Sequence, residues 1–189
     1  MFESAPYRFV LACTGCLIAG CNQTSPEIEA AKYSRAPLAY STLLAKVQED
    51  LGERMCLVIG NDNVESGVSI DNWSSYWRNA DGSWYYSEDQ RSTLTLSEVL
   101  AAVGLTYARY NEYMTLLTKA GGERITYCES AEHGTVADVL VHRSGLAVSG
   151  CSGEMRWTPD PTRPVELSGS DSSRILEVGD GWTLVYECT

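Results

Sequence analysis

At 189 residues with a hydrophobic share of 44%, the chain has material for one domain of ordinary size with a real core. A net charge of -11 and a pI near 4.6 weigh against wrapping a phosphate backbone, which needs Lys and Arg to displace counterions. The same charge favours solubility and attraction of a cationic partner.

The chain opens on Met1 to Cys21, with Arg8 as its only basic side chain and a short apolar run from Phe9 to Ile18. That run is too short to span a bilayer as a mature helix. A short apolar run followed by small residues is the pattern of a cleaved signal peptide, and Asn22 to Thr24 turn polar at once. The stretch Leu17-Ile18-Ala19-Gly20-Cys21 resembles the lipobox of bacterial lipoproteins. The resemblance implies residues 1–20 as the signal peptide, acylation of Cys21, a lipid-anchored tether over 21–25 and one folded domain over 26–189. Two or three acyl chains exceed what stable anchoring needs. Asn22 stands where inner-membrane retention favours Asp, so the resemblance implies the outer membrane, facing the periplasm. Glu3 and the thin basic start depart from the usual leader.

Seven cysteines are present, and export disposes of three of them: Cys13 and Cys16 leave with the leader, and Cys21 carries lipid. Cys56, Cys128, Cys151 and Cys188 remain, an even number in an oxidising compartment, so two disulfides are expected. Four cysteines allow three pairings, and the spacing does not choose among them. Cys56–Cys128 with Cys151–Cys188 is the working pairing. None of the four shows the C-x-x-C spacing of a structural zinc site, and no metal is expected.

Ser25-Pro26-Glu27 is a helix start, with a capping hydroxyl, proline at the first position and an acid after it. Pro37 starts a second helix, whose stripe Tyr40, Leu43, Leu44, Val47 and Leu51 recurs at helical spacing until Gly52. Met55 to Ile59 reads as a buried strand, and residues 60–93 as irregular, polar and aromatic. Within them Asp81-Gly82 signals a hairpin. Thr95 and Glu98 form a capping box for a helix reaching Gly104, and Thr106 caps another that stops at Gly121. Arg124 to Cys128, Val136 to His142 and Leu146 to Gly150 read as strands, with Ser144-Gly145 turning the second into the third. A Pro-, Ser- and Asp-rich loop covers 158–173, and Arg174 to Val178 pairs with Trp182 to Cys188 across Asp180-Gly181. The expected class is α+β: N-terminal helices and a helical hairpin packed on an antiparallel β-sheet.

The two helices of Ser97 to Leu117 mimic a helix-turn-helix, but the second offers only Arg109 and Lys119 to a phosphate backbone. No nucleic-acid partner is expected. Asn61-Asp62-Asn63 and Glu65 hint at a calcium loop, yet Ser66 and Asn72 stand where Gly and Glu are needed. Gly150-Cys151-Ser152-Gly153-Glu154 lacks the closing Gly of a nucleophile elbow. His133 and His142 come with no recognisable partner, so no catalytic residue and no cofactor is assigned.

Tyr76 to Tyr86 resembles one unit of the choline-binding repeats through Trp77 and Asp81-Gly82-Ser83-Trp84-Tyr85-Tyr86. Those repeats build their sites between copies, and one copy removes the site. What remains is the aromatic set Trp73, Tyr76, Trp77, Trp84, Tyr85 and Tyr86. A hairpin presents alternate residues on opposite faces, so about half of the set should face outward as binding anchors. The function expected from these features is an envelope lipoprotein that binds a macromolecule without catalysis. An inhibitor or immunity protein against a cationic cell-wall hydrolase fits the charge. A glycan-binding module on the aromatic segment is the alternative, and an enzyme with an unrecognised site the third.

Overall fold

Ser25 caps the first helix: its hydroxyl accepts from the Ile28 amide at 3.4 Å, and α1 runs Pro26–Arg35. In this computed structural model residues 25–69, 71–130, 134–146, 149–160 and 173–188 are described. The expected leader, Cys21, His133 and residues 161–172 of the expected loop lie outside them. Helix α2 spans Pro37–Leu51 and ends at Gly52, whose φ is 58°. The capping box forms on α3, Leu96–Ala102, where Thr95 and Glu98 each cap the other's amide. Thr106 caps α4, Tyr107–Ala120, and Gly121 closes it in the left-handed region. Ser25, Thr95 and Thr106 each satisfy an orphan amide, and the Gly121 amide bonds the Leu117 and Thr118 carbonyls, whereas Pro37 opens α2 without a side-chain cap.

Ten antiparallel strands form one sheet: β1 Cys56–Gly60, β2 Asn63–Ser69, β3 Asn72–Arg78, β4 Trp84–Tyr86, β5 Asp89–Leu94, β6 Arg124–Ser130, β7 Gly134–Leu146, β8 Ser149–Trp157, β9 Arg174–Gly179 and β10 Trp182–Cys188. Their order is β5-β4-β3-β2-β1-β6-β7-β8-β10-β9. The class is therefore α+β with an antiparallel sheet and two disulfides.

Register explains which face is buried. Tyr86, Tyr76, Val64, Ile59, Ile125, Val139, Met155, Leu184 and Leu176 pair in turn across the strands from β4 to β9. From Tyr76 to Leu176 this apolar row packs with Tyr40, Leu43, Val47, Tyr113 and Leu117 of α2 and α4 in one core. The next row, on the opposite face, is Ser75, Glu65, Val58, Thr126, Asp138, Arg156, Thr183 and Glu177. Because side chains alternate with period two, one face holds the helices and the other is polar. Cys56 faces Cys128 across β1 and β6, and Cys151 faces Cys188 across β8 and β10, each with Cα atoms 4.1 Å apart.

Two expectations need correction. Residues 60–93 are not irregular: they hold β2 to β5. These outer strands carry Ser, Glu, Asn, Asp and Arg because the core reaches only their inner side, so the apolar signal thins out. Ser144-Gly145 is not a turn. Strand β7 continues to Leu146, and Ser144 pairs with Cys151 of β8. A bulge between Leu140 and His142 breaks the alternation there and hides the longer strand.

Candidate functional site

Strand alternation divides the six aromatic residues. Tyr76, Trp84 and Tyr86 go to the helix side: Trp84 is 2% exposed, and the Tyr76 and Tyr86 rings stand 5.4 Å apart. Trp73, Trp77 and Tyr85 lie on the helix-free face, half-buried, with Trp77 directly opposite Tyr85. Two of the six predicted anchors are thus core or core margin, Trp84 and Tyr76, and Tyr86 stands half-buried beside Tyr76. Their burial follows from the register partners Val64 and Leu94, which also face the helices.

The two outward tryptophans are tied to one carboxylate, Trp73 directly and Trp77 through Ser75. Glu65 accepts from Asn63 Nδ2 at 2.8 Å, from Trp73 Nε1 at 3.0 Å and from Ser75 Oγ at 3.1 Å. Ser75 Oγ accepts in turn from Trp77 Nε1 at 3.0 Å. Gly67 lets the Trp73 indole lie across β2, because a Cβ there would overlap the ring. Both indoles are therefore pinned by their polar edges, which fixes their orientation before any partner arrives. Asn63 is 0% exposed, and its Oδ1 has no hydrogen-bond partner among the described residues. Asn63 and Glu65, read as fragments of a failed calcium loop, belong to this network, while Asp62 holds Arg143 at 2.8 Å.

Farther along the same face, Arg156 Nε donates to Asp138 Oδ1 at 2.7 Å and Nη2 approaches Glu154 Oε2 at 3.5 Å. Burial pushes both carboxyls above the ordinary carboxylate range, against the pull of Arg156 and Arg124. A carboxyl whose folded pKa exceeds its unfolded value binds extra protons in the fold, so its contribution falls as pH rises through that window. Glu154→Gln should therefore gain stability relative to the parent as pH rises from acidic to neutral. Urea unfolding at a series of pH values reads this, and a pH-independent difference between the two proteins refutes it.

On the helix side, His142 has the partners that the sequence did not reveal. Its Nδ1 is 3.6 Å from Glu29 Oε1 on α1, and its Nε2 is 3.3 Å from Ser144 Oγ. The imidazole also stacks on Tyr186, with ring centroids 5.7 Å apart. Glu29 is 1% exposed, and its Oε2 makes an ion contact with Lys32 Nζ at 2.6 Å. An acid on the same helix stripe as the buried Tyr33, four residues on, was the available signal. The Gly150 to Glu154 stretch lies wholly within β8, so it has no strand-to-helix elbow.

Compared with protein-family models, with curated proteins and with solved structures, the chain gives no match in any of the three. Function is therefore argued from these residues alone.

Proposed function

We propose that this chain is a lipid-anchored protein of the bacterial envelope, held through Cys21 at the outer membrane, whose domain binds a macromolecule on the helix-free face of its sheet. The observation that carries this reading is the pair of outward indoles, Trp73 bonded to Glu65 and Trp77 to Ser75, with Tyr85 opposite Trp77 on the same face. Large aromatics that are already oriented are the side chains that dominate protein interfaces. In this reading α3 and α4 act as a helical hairpin that braces the sheet from behind. The partner favoured by charge is a basic cell-wall hydrolase, which a net charge of -11 attracts at long range. No described helix is long and apolar enough to cross a membrane, so in this reading the acyl chains supply the attachment.

The test is titration of the domain against a panel of basic cell-wall hydrolases at low and raised salt, reading both binding and inhibition. Trp77→Ala should cost about 2 kcal/mol, roughly 30-fold in affinity. Raised salt should slow association more than it speeds dissociation. If no hydrolase binds at low salt, the protein-partner reading is wrong.

One feature favours a second reading. The Trp73 indole lies over Gly67 rather than standing off the sheet. A ring laid along a sheet offers its face for stacking, as a sugar ring requires. Retention on purified peptidoglycan that is insensitive to salt and lost in Trp73→Ala plus Trp77→Ala supports a glycan ligand. Salt-sensitive protein binding without glycan retention counts against it.

A further inference from the structure

We infer that Ser144, His142 and Glu29 form a nucleophile, base and positioning acid for acyl transfer, giving the chain a hydrolytic activity toward short-chain carboxylic esters. The three residues come from two elements that the fold brings together: β7 supplies Ser144 and His142, and α1 supplies Glu29. Because β7 continues past His142, residues 142 and 144 project from the same side of one strand. Their side chains meet at 3.3 Å, Ser144 Oγ to His142 Nε2. Glu29 reaches the far nitrogen, Nδ1, at 3.6 Å.

The order of contacts decides the chemistry. A carboxylate accepts but cannot donate, so Glu29 favours the imidazole tautomer with its proton on Nδ1. Nε2 is then the acceptor, and the Ser144 hydroxyl donates to it. That is the nucleophile–base–orienter sequence recognised by geometry rather than by chain order. The groups around the imidazole support it. Lys32, from α1, holds Glu29 Oε2 at 2.6 Å and donates to the Val141 carbonyl at 2.6 Å, which fixes the acid. Tyr186, from β10, stacks on the ring, and burial together with Glu29 keeps its hydroxyl protonated, so it acts as a wall and not as a rival base. Gly153, opposite His142, has no side chain; a Cβ there would stand 3.2 Å from Tyr186 and 3.3 Å from His142.

Ser144 Oγ bonds to the acyl carbon while its proton passes to His142 Nε2. The carbon–oxygen bond to the alcohol breaks, and the alcohol leaves with that proton. Water then attacks the acyl-serine, giving its proton to Nε2. Release of the acid returns that proton to Ser144 Oγ. Glu29 touches neither substrate nor the reacting atoms; it positions the imidazole.

The test uses the full chain in detergent, with its disulfides oxidised. It is treated with an alkyl fluorophosphonate, and the adduct is mapped by mass spectrometry. Hydrolysis of p-nitrophenyl acetate is followed in parallel. The expected result is an adduct on Ser144, with hydrolysis abolished in Ser144→Ala. In His142→Gln, both rates should fall roughly 100-fold. In Glu29→Ala, labelling of Ser144 should fall roughly 10-fold, and Glu29→Asp should restore part of it. A structural role for Glu29 alone would leave the labelling rate of the folded variant unchanged. Thermal melting of each variant separates loss of chemistry from loss of fold. Absence of an adduct on Ser144 in the folded chain between pH 6 and 9, about the range where a histidine base works, overturns the inference. So does labelling of Ser144 that is unchanged in folded His142→Gln.

Discussion

Replacing Cys56 and Cys128 together by Ala lowers the unfolding free energy by about 4 kcal/mol. The two residues are separated by 72 positions, so the bond closes a long loop in the unfolded chain. Loop-closure entropy grows with the logarithm of that separation. The Cys151–Cys188 bond closes 37 positions, and its removal should cost roughly 0.6 kcal/mol less. Both pairs sit in register on neighbouring strands, so the backbone ladder survives without them. The loss should therefore appear mostly in the unfolded state. Two signatures follow in urea unfolding: a lower midpoint, and a steeper denaturant dependence because an uncrosslinked chain expands further. A domain of this size has only about 5–15 kcal/mol of stability, so one bond is a large share of it. A loss under about 1 kcal/mol would contradict the loop-closure account.

The same bonds show what a sequence can and cannot carry. That four cysteines should pair follows from their even number once Cys13, Cys16 and Cys21 are set aside as an expected leader and lipid site. Which ones pair follows from register, because Cys56 meets Cys128 only once β6 lies beside β1. That contact waits on α3 and α4, which the chain completes before it returns to the sheet. Helix ends were legible for the opposite reason. Ser25, Thr95 and Thr106 each bond an amide three residues on, so all the chemistry lies within one turn.

Strands β2 to β5 were hidden by composition. Their inner row holds Val64, Tyr76 and Tyr86, but Trp77 and Tyr85 beside them are aromatic as well, and Asn63, Glu65 and Ser75 are polar, so no clean alternation of apolar with polar marks the strands. The hairpin at Asp81-Gly82 was legible because the turn itself is local, with Gly82 at φ 89°. Alternation then implied that half of the six aromatics face outward, and Trp73, Trp77 and Tyr85 do. What alternation could not supply was Glu65 beneath them, since its partners Asn63, Trp73 and Ser75 come from two strands. The Glu29–His142 contact is further still from local pattern, because it joins the first helix to the seventh strand. Without it His142 looked unaccompanied, and the Ser144-Gly145 pair looked like a turn.

Asp50→Ala should destabilise the domain by about 2–3 kcal/mol, the largest single-residue effect expected among the polar groups. Asp50 ends α2 and takes the Arg109 guanidinium of α4 on both oxygens, with Nε to Oδ2 at 2.7 Å and Nη2 to Oδ1 at 2.9 Å. Its Oδ2 also accepts from the Tyr113 hydroxyl at 2.7 Å. Tyr113 is 0% exposed, and burial, then Asp50, pushes its pKa far upward, so the hydroxyl stays a donor. Arg109 keeps Glu49 at 2.9 Å and Glu112 at 3.1 Å after the change, which limits the loss on its side. Tyr113 gains nothing in exchange, and a buried donor without an acceptor carries most of the cost. Tyr113→Phe should therefore be milder, about 1 kcal/mol, because it removes the donor along with its bond. Asp50→Ala should then cost less in the Tyr113→Phe background than in the parent, by about 1 kcal/mol. The four proteins of this cycle need only urea midpoints at one pH. A cost for Asp50→Ala that is the same in both backgrounds would show that the Arg109 pair, and not the stranded hydroxyl, joins α2 to α4.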